Sequence, residues 1–223
     1  MKKLILLVVC IIAAFSSIPA TYADQGTDGT GSAKFNDIKG HWAEKTINRM
    51  ADLGIVNGVG NNAFQPDASM TKCQFAALLH KTLDLQIKYF RAPDITEVFK
   101  DVKNEDWHAC KLYDLVAVGI VDDKAVFKPD SPITREEMAH YIVNAYKYKN
   151  GSISQGEFTL LDQFKDKKDI SLNLESDVSE AVRLKLLQGK ENNLFQPKGI
   201  STRAEVTVVM ERFMNLIEKN NEF

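Results

Sequence analysis

The sequence predicts an all-α fold made of one helix-loop-helix unit used three times. Three observations carry that prediction. A Phe-x-Pro triplet recurs as Phe64-Gln65-Pro66, Phe127-Lys128-Pro129 and Phe195-Gln196-Pro197, at separations of 63 and 68 residues. Seven residues after each phenylalanine, a threonine opens a Thr-basic-x-acid/amide run: Thr71-Lys72-Cys73-Gln74, Thr134-Arg135-Glu136-Glu137 and Thr202-Arg203-Ala204-Glu205. Behind each opening the apolar residues fall at helical spacing: Phe75, Leu78, Leu79; Met138, Tyr141, Ile142; Val206, Val209, Met210, Phe213, Ile217. Self-similarity at a fixed period marks an array of one supersecondary unit, whose copies bury a common core by docking on one another. Short helical arrays of this kind point to binding rather than catalysis.

Lys2 and Lys3 precede an apolar run from Leu4 to Phe15, and Thr21-Tyr22-Ala23 supplies small residues at a cleavage point. This is the pattern of a secretory signal, residues 1–23, with cleavage expected after Ala23. Cys10 does not suit a lipoprotein reading, because Val9 stands where a small residue is needed. No other stretch approaches the roughly 18 consecutive apolar residues of a membrane span, so none is expected in the mature chain. Residues 24–34 are rich in Gly, Ser and Thr and read as a flexible leader.

The three units are placed at 35–94, 95–158 and 159–223. Each begins with an extended lead-in, namely Phe35-Asn36-Asp37-Ile38, Phe99-Lys100-Asp101-Val102 or Phe164-Lys165-Asp166. A first amphipathic helix follows, in the first unit with Ala43, Ile47, Met50 and Ala51 on its apolar face. It stops at a glycine turn, Gly54 to Gly58, where glycine permits the left-handed conformation of a helix end. A loop closed by Phe-x-Pro then leads into the second helix. The linkers are Leu85 to Glu97 and Lys149 to Glu157. The apolar stripes are core faces, and no cofactor is expected.

Of 28 basic and 30 acidic residues, loss of Lys2 and Lys3 leaves 26 against 30. A mildly acidic chain with no basic run interleaved with aromatics is not a nucleic-acid binder. Any anion must be held by local groups. Only Cys73 and Cys110 remain after cleavage, too few for a disulfide scaffold, and buried thiols are expected. His41, His80, His108 and His140 form no His-Glu-x-x-His pair, and there is no Cys-x-x-Cys, Gly-x-Ser-x-Gly or Walker loop. No enzyme and no metal site is expected.

The helix starts hold the chemistry. Thr71, Thr134 and Thr202 stand three residues before Gln74, Glu137 and Glu205, the spacing of a capping box worth about 1 kcal/mol per helix. The basic residue between them needs another reason. Lys72, Arg135 and Arg203 fall at the first helical position, where the macrodipole is already positive and a cation is mildly unfavourable. One reading is an anion site, made of helix N–H donors plus a guanidinium fork suited to a carboxylate. The other is an internal salt bridge to an aspartate such as Asp37 or Asp101.

These residues together resemble the S-layer homology (SLH) domain. The resemblance rests on Phe35 and Asp37, Trp42 before the first helix, the turn Gly54 to Gly58, Phe64-Gln65-Pro66-Asp67, and Thr202-Arg203-Ala204-Glu205. It covers nearly everything from Phe35 to Glu218. It implies a pseudo-threefold helical assembly that binds secondary cell wall polysaccharide non-covalently, often through pyruvylated sugars. The partner expected is therefore that pyruvylated polymer, with peptidoglycan as a further candidate, and the location is the cell wall or S-layer. By position the family's signature arginine maps onto Lys72, Arg135 and Arg203. Its aspartate maps onto Asp37, Asp101 and Asp166, its tryptophan onto Trp42 and Trp107, and its turn glycines include Gly58 and Gly189. Lys72, Arg135, Arg203, Asp37, Asp101, Trp42, Trp107, Gly58 and Gly189 are the expected ligand-binding residues.

Each tryptophan has two readings, a platform for a sugar ring or a plug between helices, and packing is favoured because large aromatics are mostly buried. The copies also depart from the family pattern. Lys72 keeps charge but lacks the bidentate fork. Asp123 stands where the first unit has Gly58, and Lys198 replaces the acid after proline. Unequal grooves follow, those of Lys72 and Arg203 being closest to the family turn. On the anion-site reading, Arg203→Ala weakens wall binding and leaves the fold intact. The rival reading, a surface module for self-assembly or a protein partner, stays open because the triplet fills the sequence.

Overall fold

The structure is a computed structural model that describes residues 34–151 and 158–220. The expected signal segment, the leader up to residue 33 and the middle of the second linker lie outside the described residues. Six α-helices alternate between short and long: α1 Glu44–Asp52, α2 Lys72–Leu83, α3 Ala109–Ala117, α4 Arg135–Asn150, α5 Glu175–Arg183 and α6 Arg203–Asn220. Among the described residues, β structure is limited to isolated bridges. The fold is all-α, as the spacing predicts.

Local sequence explains each helix end. Thr71 and Thr134 form complete capping boxes with Gln74 and Glu137. Thr202 accepts from the Glu205 N–H at 3.2 Å, while its own N–H donates to the Glu205 carboxylate at 3.3 Å. The short helices end on a left-handed residue: Gly54 at φ +67°, Gly119 at φ +73°, but Lys185 at φ +58° in the third repeat. A side chain in that conformation costs roughly 1–2 kcal/mol, so the third repeat tolerates strain that glycine avoids in the other two.

The lead-in segments are chains of tight turns rather than the extended strands expected. The cause is the aspartate in each. Asp37 accepts from the N–H groups of Phe64 and Gln65, at 2.9 and 2.7 Å. Asp101 does the same for Phe127 and Lys128, and Asp166 for Phe195 and Gln196. Each carboxylate thereby clamps the middle residue of Phe-x-Pro in the left-handed region, with φ +56°, +60° and +57° at Gln65, Lys128 and Gln196. The clamp brings the lead-in phenylalanine onto the loop phenylalanine, with ring centroids 5.3, 5.4 and 5.6 Å apart for Phe35–Phe64, Phe99–Phe127 and Phe164–Phe195.

These pairs belong to one core that runs through all three repeats, with Ile38, Ile47, Met50, Phe75, Leu79, Leu112 and Phe213 fully buried. Each long helix packs on the short helix of the next repeat: α2 on α3, α4 on α5, and α6 back on α1. Polar pairs mark the three seams. His80 meets Asp114 at 2.7 Å, His140 meets Asp177 at 2.6 Å, and Thr46 donates to Glu211 at 2.8 Å.

At the centre the loops before the long helices close a ring. The Met70 N–H donates to Ser201 O, the Ser201 N–H to Ile133 O, and the Ile133 N–H to Met70 O, at 3.1, 3.0 and 2.9 Å. Three equivalent residues bonded head to tail define a pseudo-threefold axis.

Candidate functional site

The ring decides what the helix starts can do. At each long helix the first two N–H groups donate to carbonyls in the Phe-x-Pro loop of another repeat. Lys72 and Cys73 donate to Ser131 O and Pro129 O, Arg135 and Glu136 to Gly199 O and Pro197 O, and Arg203 and Ala204 to Ala68 O and Pro66 O, all within 3.0 Å. The third N–H goes to the threonine cap. The expectation that these N–H groups are open to an anion is corrected here. Satisfying buried backbone donors takes precedence, and the neighbouring repeat supplies the acceptors.

The cations bridge the same interfaces. Arg135 is only 5% exposed. Its Nε donates to Phe195 O at 2.9 Å and its Nη2 to Gln188 O at 2.8 Å. Its guanidinium lies 5.2 Å from the Phe195 ring centroid. Burial lowers its pKa, yet a guanidinium stays charged in proteins. Arg203 repeats the arrangement one step round the ring. It donates to Phe64 O at 2.8 Å and Asn57 O at 3.0 Å and lies 4.6 Å from the Phe64 ring. Each arginine therefore staples loop and turn of the following repeat, using carbonyls rather than the aspartate of the salt-bridge reading. Asp37 is nonetheless within reach of the Arg203 charge. Burial raises its pKa, but the Phe64 and Gln65 N–H groups and Arg203 outweigh that and hold it below the ordinary carboxylate value.

Lys72 behaves differently. Its ammonium pairs with Glu137 of the second repeat. Burial favours the neutral Glu137 acid, yet the Lys72 and Thr134 bonds prevail and its pKa is lowered. At the next interface the corresponding acid, Glu205, takes Lys190 at 2.6 Å. At the Arg203 interface the corresponding residue is Gln74, an amide without charge. The three grooves thus differ in electrostatics: two carry a paired carboxylate at the capping position and one does not.

Trp42 and Trp107 are 65% and 59% exposed, so the expectation that they pack between helices is corrected. Each precedes a short helix whose apolar face begins one residue later, at Ala43 and His108, and is turned outward by that register. The Trp42 indole lies beside His41, which reaches Asp67 at 3.3 Å in the loop that meets the start of α6. Lys111 stands over Trp107, 5.8 Å from the ring centroid.

Gly58 and Gly189 share one reason: a Cβ at either would lie 2.6 Å from the lead-in ring, Phe35 or Phe164. Cys73 and Cys110 are both unbridged; Cys73 is buried, but Cys110 is exposed, against expectation. Its helix turns that position to solvent between buried Ala109 and Leu112. Among the described residues, no group of three His, Cys, Asp or Glu is placed to hold a metal.

Two features escaped the sequence reading. Glu136, 5% exposed, accepts from the Ser171 hydroxyl at 2.9 Å and pairs with Lys198, joining repeats two and three. The replacement of the acid after proline by Lys198 was the visible signal for it. His140 lies between Asp177 and Asp122, with the second contact at 3.1 Å.

Comparisons place these features in a family. The S-layer homology domain model matches residues 34–76, 98–139 and 163–207. An exoglucanase, XynX, of Acetivibrio thermocellus is 33% identical over 195 residues, covering 85% of this chain and 17% of its own length. An amylopullulanase of Thermoanaerobacterium thermosulfurigenes is 32% identical over 191 residues, covering 83% and 10%. S-layer protein EA1 of Bacillus anthracis is 32% identical over 147 residues, covering 63% and 16%. The chain therefore spans less than a fifth of the length of each of these relatives. With three family matches laid over three units that share one core and one axis, this chain belongs to the S-layer homology domain family.

Proposed function

We propose that this protein is held at the bacterial surface by carboxylate-bearing, pyruvylated sugars of a secondary cell wall polysaccharide, bound in the grooves between repeats. The coarser role needs no proposal. SLH domains are non-catalytic anchoring modules that bind cell wall polymers, and the protein is secreted and associated with the cell wall or S-layer.

The observation that carries the finer reading is the Arg203 groove. It combines a guanidinium already placed by Phe64 O and Asn57 O, a neutral Gln74 where the other grooves carry Glu137 and Glu205, and the exposed Trp42 close by. A carboxylate approaching there meets a positive potential without a competing capping acid, and an indole face suits the apolar side of a sugar ring. Asp37, Asp101, Gly58 and Gly189 shape the walls, while Lys72, Arg135 and Trp107 supply the corresponding positions of the other grooves. Three grooves on one polymer raise retention through effective concentration.

The test is co-sedimentation of the exported protein with purified cell walls, before and after hydrofluoric acid removes phosphodiester-linked polysaccharide. Binding lost on stripping supports the secondary polymer as ligand. Binding retained identifies peptidoglycan instead. Absence of binding to both leaves self-assembly or a protein partner.

A further inference from the structure

The three interfaces differ most where arginine is replaced by Lys72. Arg135 and Arg203 lay a guanidinium between loop and turn; the Lys72 ammonium turns away to Glu137, and here a cavity of about 230 Å³ opens. Its walls come from all three repeats: Lys72 from the first, Asp122, Lys124, Glu137 and Tyr141 from the second, and Ser171 and Asn173 from the third. We propose that this cavity is a subsite for a single uncharged sugar ring of the wall polymer, distinct in ligand charge from the Arg203 groove; the assignment of that polymer rests on the reading above.

Charge balance argues for an uncharged occupant. Each carboxylate in the wall already has a cationic partner: Glu137 has Lys72, Asp122 has Lys124 at 2.6 Å and His140 at 3.1 Å, and Glu136 has Lys198. An anion entering would face three carboxylates, and a cation would displace lysines already in place. A hydroxyl both donates and accepts, so it fits a wall of matched ammonium and carboxylate groups without disturbing either. Ser171, Asn173 and the Tyr141 phenol add neutral polar groups. Burial, together with the Glu137 and Asp122 charges, pushes the Tyr141 pKa far above the ordinary phenol value, so its O–H remains a donor. Val126 and the Tyr141 ring provide an apolar wall. Pockets for drug-sized ligands run to about 300–1,000 Å³, so this smaller one suits one ring rather than an oligosaccharide.

The test titrates isotope-labelled exported protein with methyl N-acetylglucosaminide as neutral probe and with pyruvate as anionic probe, read by amide chemical shifts. The neutral probe is expected to shift Ser171 and Asn173 with a dissociation constant of about 1 mM, the scale of a single-ring ligand. In Lys72→Arg the side chain is expected to adopt the Arg135 arrangement, raise the melting temperature and weaken that probe about tenfold or more. No shift with the neutral probe, a stronger response of these residues to pyruvate, or unchanged neutral-probe affinity in Lys72→Arg would each overturn the proposal. The reading on which it rests is judged separately, by wall sedimentation. Probe binding without wall binding would leave the pocket and remove the polymer, and the reverse would leave the anchor and remove the pocket.

Discussion

The interface between repeats two and three and the one between repeats one and two are built on the same backbone plan, yet their central cations have different duties. Arg135 is buried and spends two N–H groups on carbonyls 53 and 60 residues away. Lys72 cannot span loop and turn together, pairs with one carboxylate, and leaves a cavity. The lesson is that one position in a repeat can serve as staple or as gate. Which it does follows from whether its head group is a planar fork or a point charge.

The largest expected effect tests that contrast directly. Arg135→Ala leaves two buried carbonyls without their charged donor and should cost about 3 kcal/mol, or about 6–12 °C in melting temperature. Lys72→Ala should cost only about 1 kcal/mol, because Glu137 keeps its bond to the Thr134 N–H at 3.0 Å. Equal losses in thermal melts would erase the distinction between staple and gate.

A second contrast lies one residue further on. Glu136→Ala removes the pairing with Lys198 and Ser171 and should cost about 2 kcal/mol. The corresponding residue at the other interface, Cys73, makes only a 3.2 Å contact to the Thr71 hydroxyl. Cys73→Ala should therefore cost no more than about 1 kcal/mol. A denaturant titration in which Cys73→Ala proved the costlier would reverse the ranking of the two interfaces.

A third contrast sets His108 of repeat two against Ala43 of repeat one. His108 is 5% exposed and neither ring nitrogen has a hydrogen-bond partner. Burial lowers its pKa, and the Asp106 and Asp130 charges offset this only in part. As pH falls below the unfolded value of about 6.5, the unfolded chain takes the proton first. Stability is therefore lost from that pH downward until the folded pKa is passed. His108→Ala should remove that loss and raise stability by about 1 kcal/mol at neutral pH. The difference between the two pH–stability curves isolates it, and a flat difference would refute it.

The smallest stability effect belongs to the exposed indoles. Trp42→Ala and Trp107→Ala should each change stability by less than about 0.5 kcal/mol. Trp42→Ala should still weaken wall sedimentation, since its neighbours lead to the Arg203 groove. Unchanged sedimentation would remove Trp42 from the site.

Much of this was legible in the sequence because it depends on local rules. Capping threonines, apolar periodicity and glycine stops act within a few residues, and the copies repeat them. What was not legible depends on partners far along the chain. The acceptors for the helix-start N–H groups are backbone carbonyls at Ser131, Gly199 and Ala68, and a carbonyl leaves no mark in the residue type that bears it. For the same reason the arginines read as anion sites or salt bridges, when their partners are the carbonyls of Phe195, Gln188, Phe64 and Asn57. The outward turn of Trp42 follows from its place one step off the apolar face of α1, a register too short to read from nine helical residues.

The head-to-tail bonds of Met70, Ile133 and Ser201 have one further consequence. Stacked repeats in an open array leave two end units with a single neighbour each, and those ends fray first. Here every unit has two neighbours, so none is terminal. Melting should be all-or-none rather than stepwise from an edge. A circular permutant opened in the linker between repeats one and two would keep the same contacts in a different chain order.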